Sequence, residues 1–474
     1  MATTINHTGL NWIRSLGYEH AEVPMQSQLL DWWSWYSAKG SFYKTTDFSN
    51  DGKGTFKVER LSFSPAKMVC EDWASLLFND ETRLGICAED ENENTRLWLE
   101  NWADENSLFS NSVAYERAFA LGTYGFALSL DNLNIDGSPN TQCKVVLDRY
   151  DARNIVPLSW NSDGASECAF VSPVNVAGQQ YTQWVAYTLE DDGYVIRTAH
   201  FGANGNQTLL DGFASEVRLG TFARPFCLIS PEIDNTYAEF SPFGMSVFDG
   251  AIGAVKLCDG SFDNAWKDIY LGQKMLFLPE EILQTDAQGN YIIPRDKDQQ
   301  LFMAKQNDGG LSGTGQGIDE YNPALRIEDN RLAIDTALAM LGKRCGLGFN
   351  YYSLERDSGS PKTAKEVASG NADLIRNARK HQRAIGGQIA RLCECVLCLA
   401  SKFSGEVFSD TQLEVLFGDT VVEDEDTLRE RDRADVSAGL LPKWVYIMRH
   451  QGVDEQTARS WADSGAHSPS PLEA

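Results

Sequence analysis

The chain has little of what most recognisable enzyme chemistry requires. It holds only six histidines in 474 residues: His7, His20, His200, His381, His450 and His467. No His-Glu-x-x-His pattern and no Gly-x-Ser-x-Gly elbow occurs, and no histidine pairs in sequence with a nucleophile. The glycine-rich stretch GGLSGTGQG (309–317) lacks the Gly-Lys-Ser/Thr that would cradle a phosphate, so it reads as a loop. Cations are scarce: 41 Lys and Arg stand against 67 Asp and Glu, a formal charge of −26. That balance argues against a protein that grips nucleic acid through its phosphates. No apolar run approaches the ~18 residues a membrane helix needs, so no membrane span is expected. The opening MATTINHTGLNW does not read as a signal peptide. Ten cysteines are present, but Cys70, Cys87, Cys143, Cys168, Cys227, Cys258 and Cys345 are scattered. Cys393, Cys395 and Cys398 cluster without a second ligand pair, and read as buried small hydrophobes rather than a metal site. The paired acids Glu423 to Asp426 read as a solvated face. Reduced thiols, no disulfide framework, no catalytic residue, no metal and no cofactor are the expectation.

What the chain does have is size and apolar content. At roughly 100–200 residues per domain its length allows two to four domains, and 42% hydrophobic residues can fill a sizeable core. Residues 25–37 (MQSQLLDWWSWYS) place Leu29, Trp32, Trp33 and Tyr36 at helical spacing; a docked aromatic face is favoured over a ligand-stacking site. Residues 64–80 give a second amphipathic helix, with Pro65 in its first turn and Met68, Val69, Trp73, Leu76 and Leu77 on one face. Residues 111–130 start helical, break at Gly122 and Gly125, and pass into FALSL. From 141 to about 230 strand-like segments alternate with polar turns. The first half therefore reads as α+β with a mixed or antiparallel sheet.

The second half is built on long helices. Val247, Phe248, Ile252, Val255, Leu257, Phe262, Trp266 and Ile269 mark a helix over 241–272. Short strands come next at KMLFLP and NYIIP. Leu332, Ile334, Leu338 and Leu341 mark a helix over 327–345. After the irregular GLGFNYYSLERDSGSP comes a very long helix. Thr363 and Glu366 form its capping box after Pro361, and Val367, Leu374, Ala378, Ile385, Ile389, Leu392, Val396 and Leu399 keep one stripe as far as about residue 402. Asn371 and Gln382 interrupt that stripe, and Gly386-Gly387 is the expected kink. One strand (LEVLFGD), two short helices over 426–437 and 442–450, and a polar tail complete the chain.

This order of parts resembles the portal protein of tailed bacteriophages, in the branch common among phages of Gram-positive hosts. KTAKEV (362–367) looks like the family's K-T-A-x-E-V segment, and AKMVCEDWASLLFND (66–80) is similar to its early W-A-x-L-L-F-N-E helix. YERAFALGTYGFAL (115–128), VVLDRYDARNIVPLSWNSDG (145–164) and LEVLFGDTVVEDEDTLRERDRADVSAGLLPKW (413–444) resemble further segments in the same order. The matches run from about 66 to 459. The family's short glycine-rich turn before K-T-A is here the bulkier FNYYSLERDSGSP, and the cysteine cluster has no counterpart.

The resemblance implies a portal fold: wing, stem, clip and small crown, assembled as a ring of twelve around a central channel. Residues 1–240 would be the N-terminal wing and 241–273 the first stem helix. The clip would be 274–325, the second stem helix 326–345 and the tunnel loop 346–362. The long wing helix and wing strand would be 363–420, and the crown and tail 421–474. It implies DNA packaging and ejection through the channel, without sequence specificity or catalysis. Implied partners are further copies of the chain, the major capsid protein, scaffolding protein, the large terminase and a head-completion or adaptor protein, at the portal vertex of the virion after assembly in the host cytoplasm. Candidate channel residues are Lys343, Arg344, Asn350, Tyr351, Tyr352, Ser353, Leu354, Glu355 and Arg356. Gly250, Gly253, Gly260 and Trp266 are candidates for packing neighbouring stem helices. The alternatives are another ring-forming virion component, such as a head–tail adaptor or minor capsid protein, and an acidic enzyme with an unrecognised site.

Overall fold

The computed structural model describes residues 7–48, 54–86, 93–133, 143–208, 210, 213–272, 275–279, 288, 302–305, 319–321, 323–353, 372–405, 408, 412–418, 429, 432–434, 436–437, 441–451 and 455–464. Mixed helix and sheet, 45% and 25%, make the chain α+β. In order the elements are α1 (His7–Ser15), α2 (Gln26–Tyr36), β1 (Lys44–Phe48), β2 (Thr55–Glu59), α3 (Pro65–Leu77), β3 (Arg83–Ile86), α4 (Glu93–Glu105) and α5 (Ser112–Leu121). Next come the strands β4 (Tyr124–Asp131), β5 (Lys144–Asp151), β6 (Ile155–Asn161), β7 (Gly164–Val176), β8 (Gln179–Glu190), β9 (Gly193–Gly202), β10 (Gln207–Thr208), β11 (Glu216–Arg218) and β12 (Phe226–Ile229). The chain continues through α6 (Ile252–Leu271), β13 (Met275–Pro279), β14 (Phe302–Lys305), β15 (Asp319–Tyr321), α7 (Ile327–Arg344), α8 (Ala372–Phe403), β16 (Leu413–Leu416), α9 (Lys443–Gln451) and α10 (Glu455–Ser464).

Two antiparallel sheets make the body. β6 to β10 form a meander with β11 added to β9, and β12-β4-β5 form a second sheet. Between them lies an aromatic layer. Tyr150 meets Phe170 at 4.8 Å, and Phe226 meets Phe170 and Tyr187 at 5.7 Å. The Tyr187 hydroxyl crosses from one sheet to the other and donates to the Leu128 carbonyl at 3.0 Å, which satisfies the polar tip of a fully buried ring. The outer face of the larger sheet is covered by α1, a helix the sequence reading did not anticipate. Its Ile13 joins Trp184, Val171 and Phe201 in a second apolar cluster.

The helices close the other side. α8 has its apolar stripe where the period placed it: Leu374, Ala378, Ile385, Ile389, Leu392, Val396 and Leu399 are all buried. An 18-residue window of α8 is long and apolar enough to cross a membrane by composition, but 61% of that window is buried inside the protein, as befits a core helix. The helix runs continuously through Gly386-Gly387. There a side chain on Gly386 would meet the Phe417 ring at 2.9 Å, so this glycine lets the helix approach the β16 segment closely. β16 itself pairs with β3. His381 occupies the point where α3, α5 and α8 converge, edge-on to Trp73 at 4.9 Å and Phe119 at 5.5 Å. Its Nδ1 accepts the Glu232 backbone N–H at 3.0 Å.

Several sequence expectations need correction. The helix expected over 241–272 starts only at Ile252. The preceding segment is held by bonds to the end of α5 instead: Gly244 N–H donates to Thr123 Oγ1 at 2.9 Å, and Val247 N–H to the Phe119 carbonyl at 3.0 Å. Phe243, Val247 and Phe248 are buried without being helical. In α2 it is Trp35, not Trp33, that joins Leu29, Trp32 and Tyr36 in the core; Trp33 is half-buried under the Arg153 guanidinium, 3.8 Å from its ring centre. Part of the expected polar tail is α10, whose Ala458 is fully buried. Cys393 and Cys395 are buried as expected, but Cys398 is exposed, its Sγ 3.3 Å from Thr221 Oγ1. Strands β14 and β15 flank β13, parallel and antiparallel respectively; NYIIP, the capping box and Asn371 lie outside the described residues.

Candidate functional site

Two features hold the candidate residues: the α6–α7 pair, which joins the core through Val255, Leu338 and Leu341, and the segment that follows α7. The helices α6 and α7 are tied near their outer ends, where the Asp268 carboxylate accepts from Arg326 Nε at 3.1 Å and Asn330 Nδ2 at 2.9 Å. The Arg326 and Asn330 hydrogen bonds hold the Asp268 carboxyl below the usual carboxylate range.

Part of the outward surface of this pair is apolar. Phe262, Trp266, Ile269 and Tyr270 of α6 are exposed, with Trp266 at 51% and Tyr270 at 59%, and Trp266 stacks on Tyr270. On α7 the exposed residues include Ile327, Leu332 and Met340. Leu332, one of the apolar positions that mark α7, is 61% exposed. The helical period named an apolar face on α6, and among the described residues its outer part is largely uncovered. Contiguous exposed apolar surface of this kind marks interaction sites.

Gly253 and Gly260 were expected to ease helix packing. Within one chain a Cβ at either position would meet no atom within 4 Å, so neither serves the α6–α7 contact. Gly253 instead lines an open groove of ≈ 440 Å³ with Leu257, Met340 and Phe349 among its walls. Gly250 lies outside α6, in the 3₁₀ turn that leads into it, and its carbonyl is an acceptor.

The α7 end is firmly built. Gly346 has φ +85°, the Leu347 N–H reaches back to the Gly342 carbonyl at 2.9 Å, and the Gly346 N–H reaches the Lys343 carbonyl at 3.4 Å. This is a Schellman stop, which favours glycine at the left-handed position. Side chains from the body anchor the stop and the segment beyond it. Trp73 Nε1 donates to the Cys345 carbonyl at 3.0 Å and Asn377 Nδ2 to the Gly346 carbonyl at 2.8 Å. Tyr352 donates to the Asp72 carboxylate. Burial raises the Asp72 carboxyl above its ordinary range while the Tyr352 bond opposes the shift; the Tyr352 phenol is pushed well up by burial first and by Asp72 second.

Two of the proposed channel cations already have partners. Lys343 Nζ stands 2.5 Å from Asp373 Oδ2, and the Lys343 bond holds the Asp373 carboxyl low. Arg344 donates twice to the Gly250 carbonyl, at 3.0 and 2.8 Å. Asn350, Tyr351 and Ser353 are exposed and Tyr352 is half-buried. Leu354, Glu355 and Arg356 lie outside the described residues. The sequence reading placed Trp73 on a helix face but missed the anchoring role of Trp73, Asp72 and Asn377, whose partners Cys345, Tyr352 and Gly346 lie 31 to 280 residues away. Among the described residues no group of three or more His, Cys, Asp or Glu is arranged to hold a metal.

No protein-family model matches the chain, and no curated protein matches it.

Proposed function

We propose that the chain is a portal-type subunit, one copy in a ring whose channel passes double-stranded DNA during packaging and ejection at a capsid vertex. The single observation that carries this reading is the helix pair α6–α7. Two long helices lie side by side, the chain between them passes through the small sheet β14-β13-β15, and they expose Trp266, Ile269, Tyr270 and Leu332. A chain that folds alone has little reason to leave Trp266, Ile269, Tyr270 and Leu332 in water, whereas a subunit packed between two neighbours does. In this reading α6 and α7 are the stem and the three-stranded sheet belongs to the clip. The Tyr351-Tyr352 segment starts the tunnel loop, α8 is the long wing helix, and the region of α9 and α10 belongs to the crown. The ring would dock terminase first and a head-completion protein later, after building with scaffolding and major capsid protein. The alternative, a different ring-forming virion component such as an adaptor or minor capsid protein, shares the uncovered helices but requires neither the inserted sheet nor the long helix after it.

The glycines provide a test that separates assembly from folding. Since nothing lies within 4 Å of a Cβ at Gly253 or Gly260, the double variant Gly253→Leu/Gly260→Leu should fold, with a gain of about 1 kcal/mol in helix propensity at Gly260 in the helix interior. It should fail to form rings. Normal rings from a normally folded variant would remove the stem assignment.

A further inference from the structure

The polar face of α8 carries charge opposite to that of the rest of the molecule. The helix has six cations (Arg376, Arg379, Lys380, Arg383, Arg391, Lys402) and two carboxylates (Asp373, Glu394), six less two giving +4, in a chain at −26. Arg376, Arg379, Lys380, Arg383 and Arg391 are exposed. Pairwise spacings of three (Arg376/Arg379, Lys380/Arg383) and four (Arg376/Lys380, Arg379/Arg383) bring the first four to one side of the helix, and Arg391 continues the row; the buried Leu374, Ala378, Ile385 and Ile389 lie opposite. From Arg376 to Arg391 the row is ~22 Å long at ~1.5 Å per residue.

Some cations on this helix are engaged by the chain itself. Arg376 pairs with Asp373 at 2.7 Å, and Lys402 donates to the Gly220 carbonyl at 3.0 Å. Arg379, Lys380, Arg383 and Arg391 have no carboxylate at ion-pair distance among the described residues. Lys380 and Arg391 also line a polar cleft of ≈ 720 Å³. The carboxylates on that cleft, Asp163, Glu232, Asp234 and Glu239, form no ion pair with them among the described residues.

We infer that this face of α8 docks the acidic surface of a second copy of the chain. Two copies at −26 repel one another, and local contacts of opposite sign offset that repulsion. The α8 row supplies four exposed cations at helical spacing, and any second copy supplies the excess of carboxylates. Duplex DNA fits less well: the same net charge repels it, and four cations neutralise few phosphates. The inference rests on the ring reading above and adds to it a second contact, electrostatic where the α6–α7 contact is apolar.

The test is the oligomeric state of the full chain by mass photometry at low and high salt, for wild type and for Arg379→Glu/Lys380→Glu/Arg383→Glu. Because the three side chains are exposed, the variant should melt as wild type does. At ~0.1 M salt the reversal should weaken assembly by about tenfold or more, and the gap between variant and wild type should shrink at ~0.5 M, where salt screens the contact. Rings from the variant with unchanged salt dependence would overturn the inference and leave the ring reading standing. Wild type that stays monomeric would overturn both. A wild-type oligomer that is not a ring and that the variant loses would uphold the α8 contact and remove the ring reading. Added fluorescent duplex DNA gives the last arm: binding lost in the variant while assembly is unchanged would assign the row to phosphates and overturn the inference.

Discussion

Trp73 and Trp266 both stand on amphipathic helices, yet Trp73 is fully buried and Trp266 is 51% exposed. Trp73 stacks on Phe119, meets His381 edge-on and donates to a carbonyl of the α7 end. Trp266 touches Tyr270 on its own helix. The body around Trp73 is closed by its own chain, and its buried hydroxyls and ring N–H groups mostly find carboxylates or carbonyls, as Tyr36 does on Glu116 and Tyr43 on Asp259. The α6–α7 pair is closed on one side only. The contrast separates what this chain needs in order to fold from the surface that the proposed ring would use for association.

That contrast can be broken at several points. The largest effect is expected from Trp73→Ala, which empties a fully buried site and removes the bond to Cys345; about 3–5 kcal/mol of unfolding free energy should be lost, measured by urea denaturation. A loss under about 1 kcal/mol would mean that Trp73 does not join the α7 end to the body.

His381 gives the next effect, through pH. Burial, with Lys380 as a lesser cause, pushes its imidazole from 6.5 down to about 4. The unfolded chain takes up this proton near 6.5 and the folded chain resists until about 4. The contribution is therefore intact above 6.5 and is lost as pH falls through that window, to a total of roughly 3 kcal/mol. Unfolding measured between pH 7 and 4 should show this slope in wild type and a flatter one in His381→Phe. Equal slopes would contradict the buried neutral ring.

The smallest effect on folding should come from the uncovered helices. Trp266→Ser with Ile269→Ser should change stability by less than about 0.5 kcal/mol per site, as exposed substitutions do, while abolishing assembly. A large drop in the monomer's melting temperature would show that these side chains serve the fold after all.

Much of this was legible in the sequence, for identifiable reasons. The α8 stripe could be read residue by residue because its period of 3.6 is sustained over many turns, and its positions from Leu374 to Leu399 are buried; Val367 lies outside the described residues. The start of α6 was misread because Val247 and Phe248 satisfy the same period, while their segment makes its backbone bonds to Thr123 and Phe119, more than a hundred residues away. Leu332 and Trp266 show a different limit: periodicity identifies an apolar face but not what covers it. Among the site residues, Lys343 and Arg344 were located by their proximity to an irregular segment. Their partners Asp373 and Gly250 became visible only once the chain was folded. Helix α10 was hidden by its polar composition, in which Ala458 gives no signal.

The central claim is that this chain closes its remaining apolar surface against copies of itself around a channel. Single-particle imaging of the purified full chain, with classes viewed down the particle axis, tests it most directly. The account predicts a ring with a central channel, wider at one end than the other. A monodisperse monomer, or a closed oligomer without a channel, would contradict it.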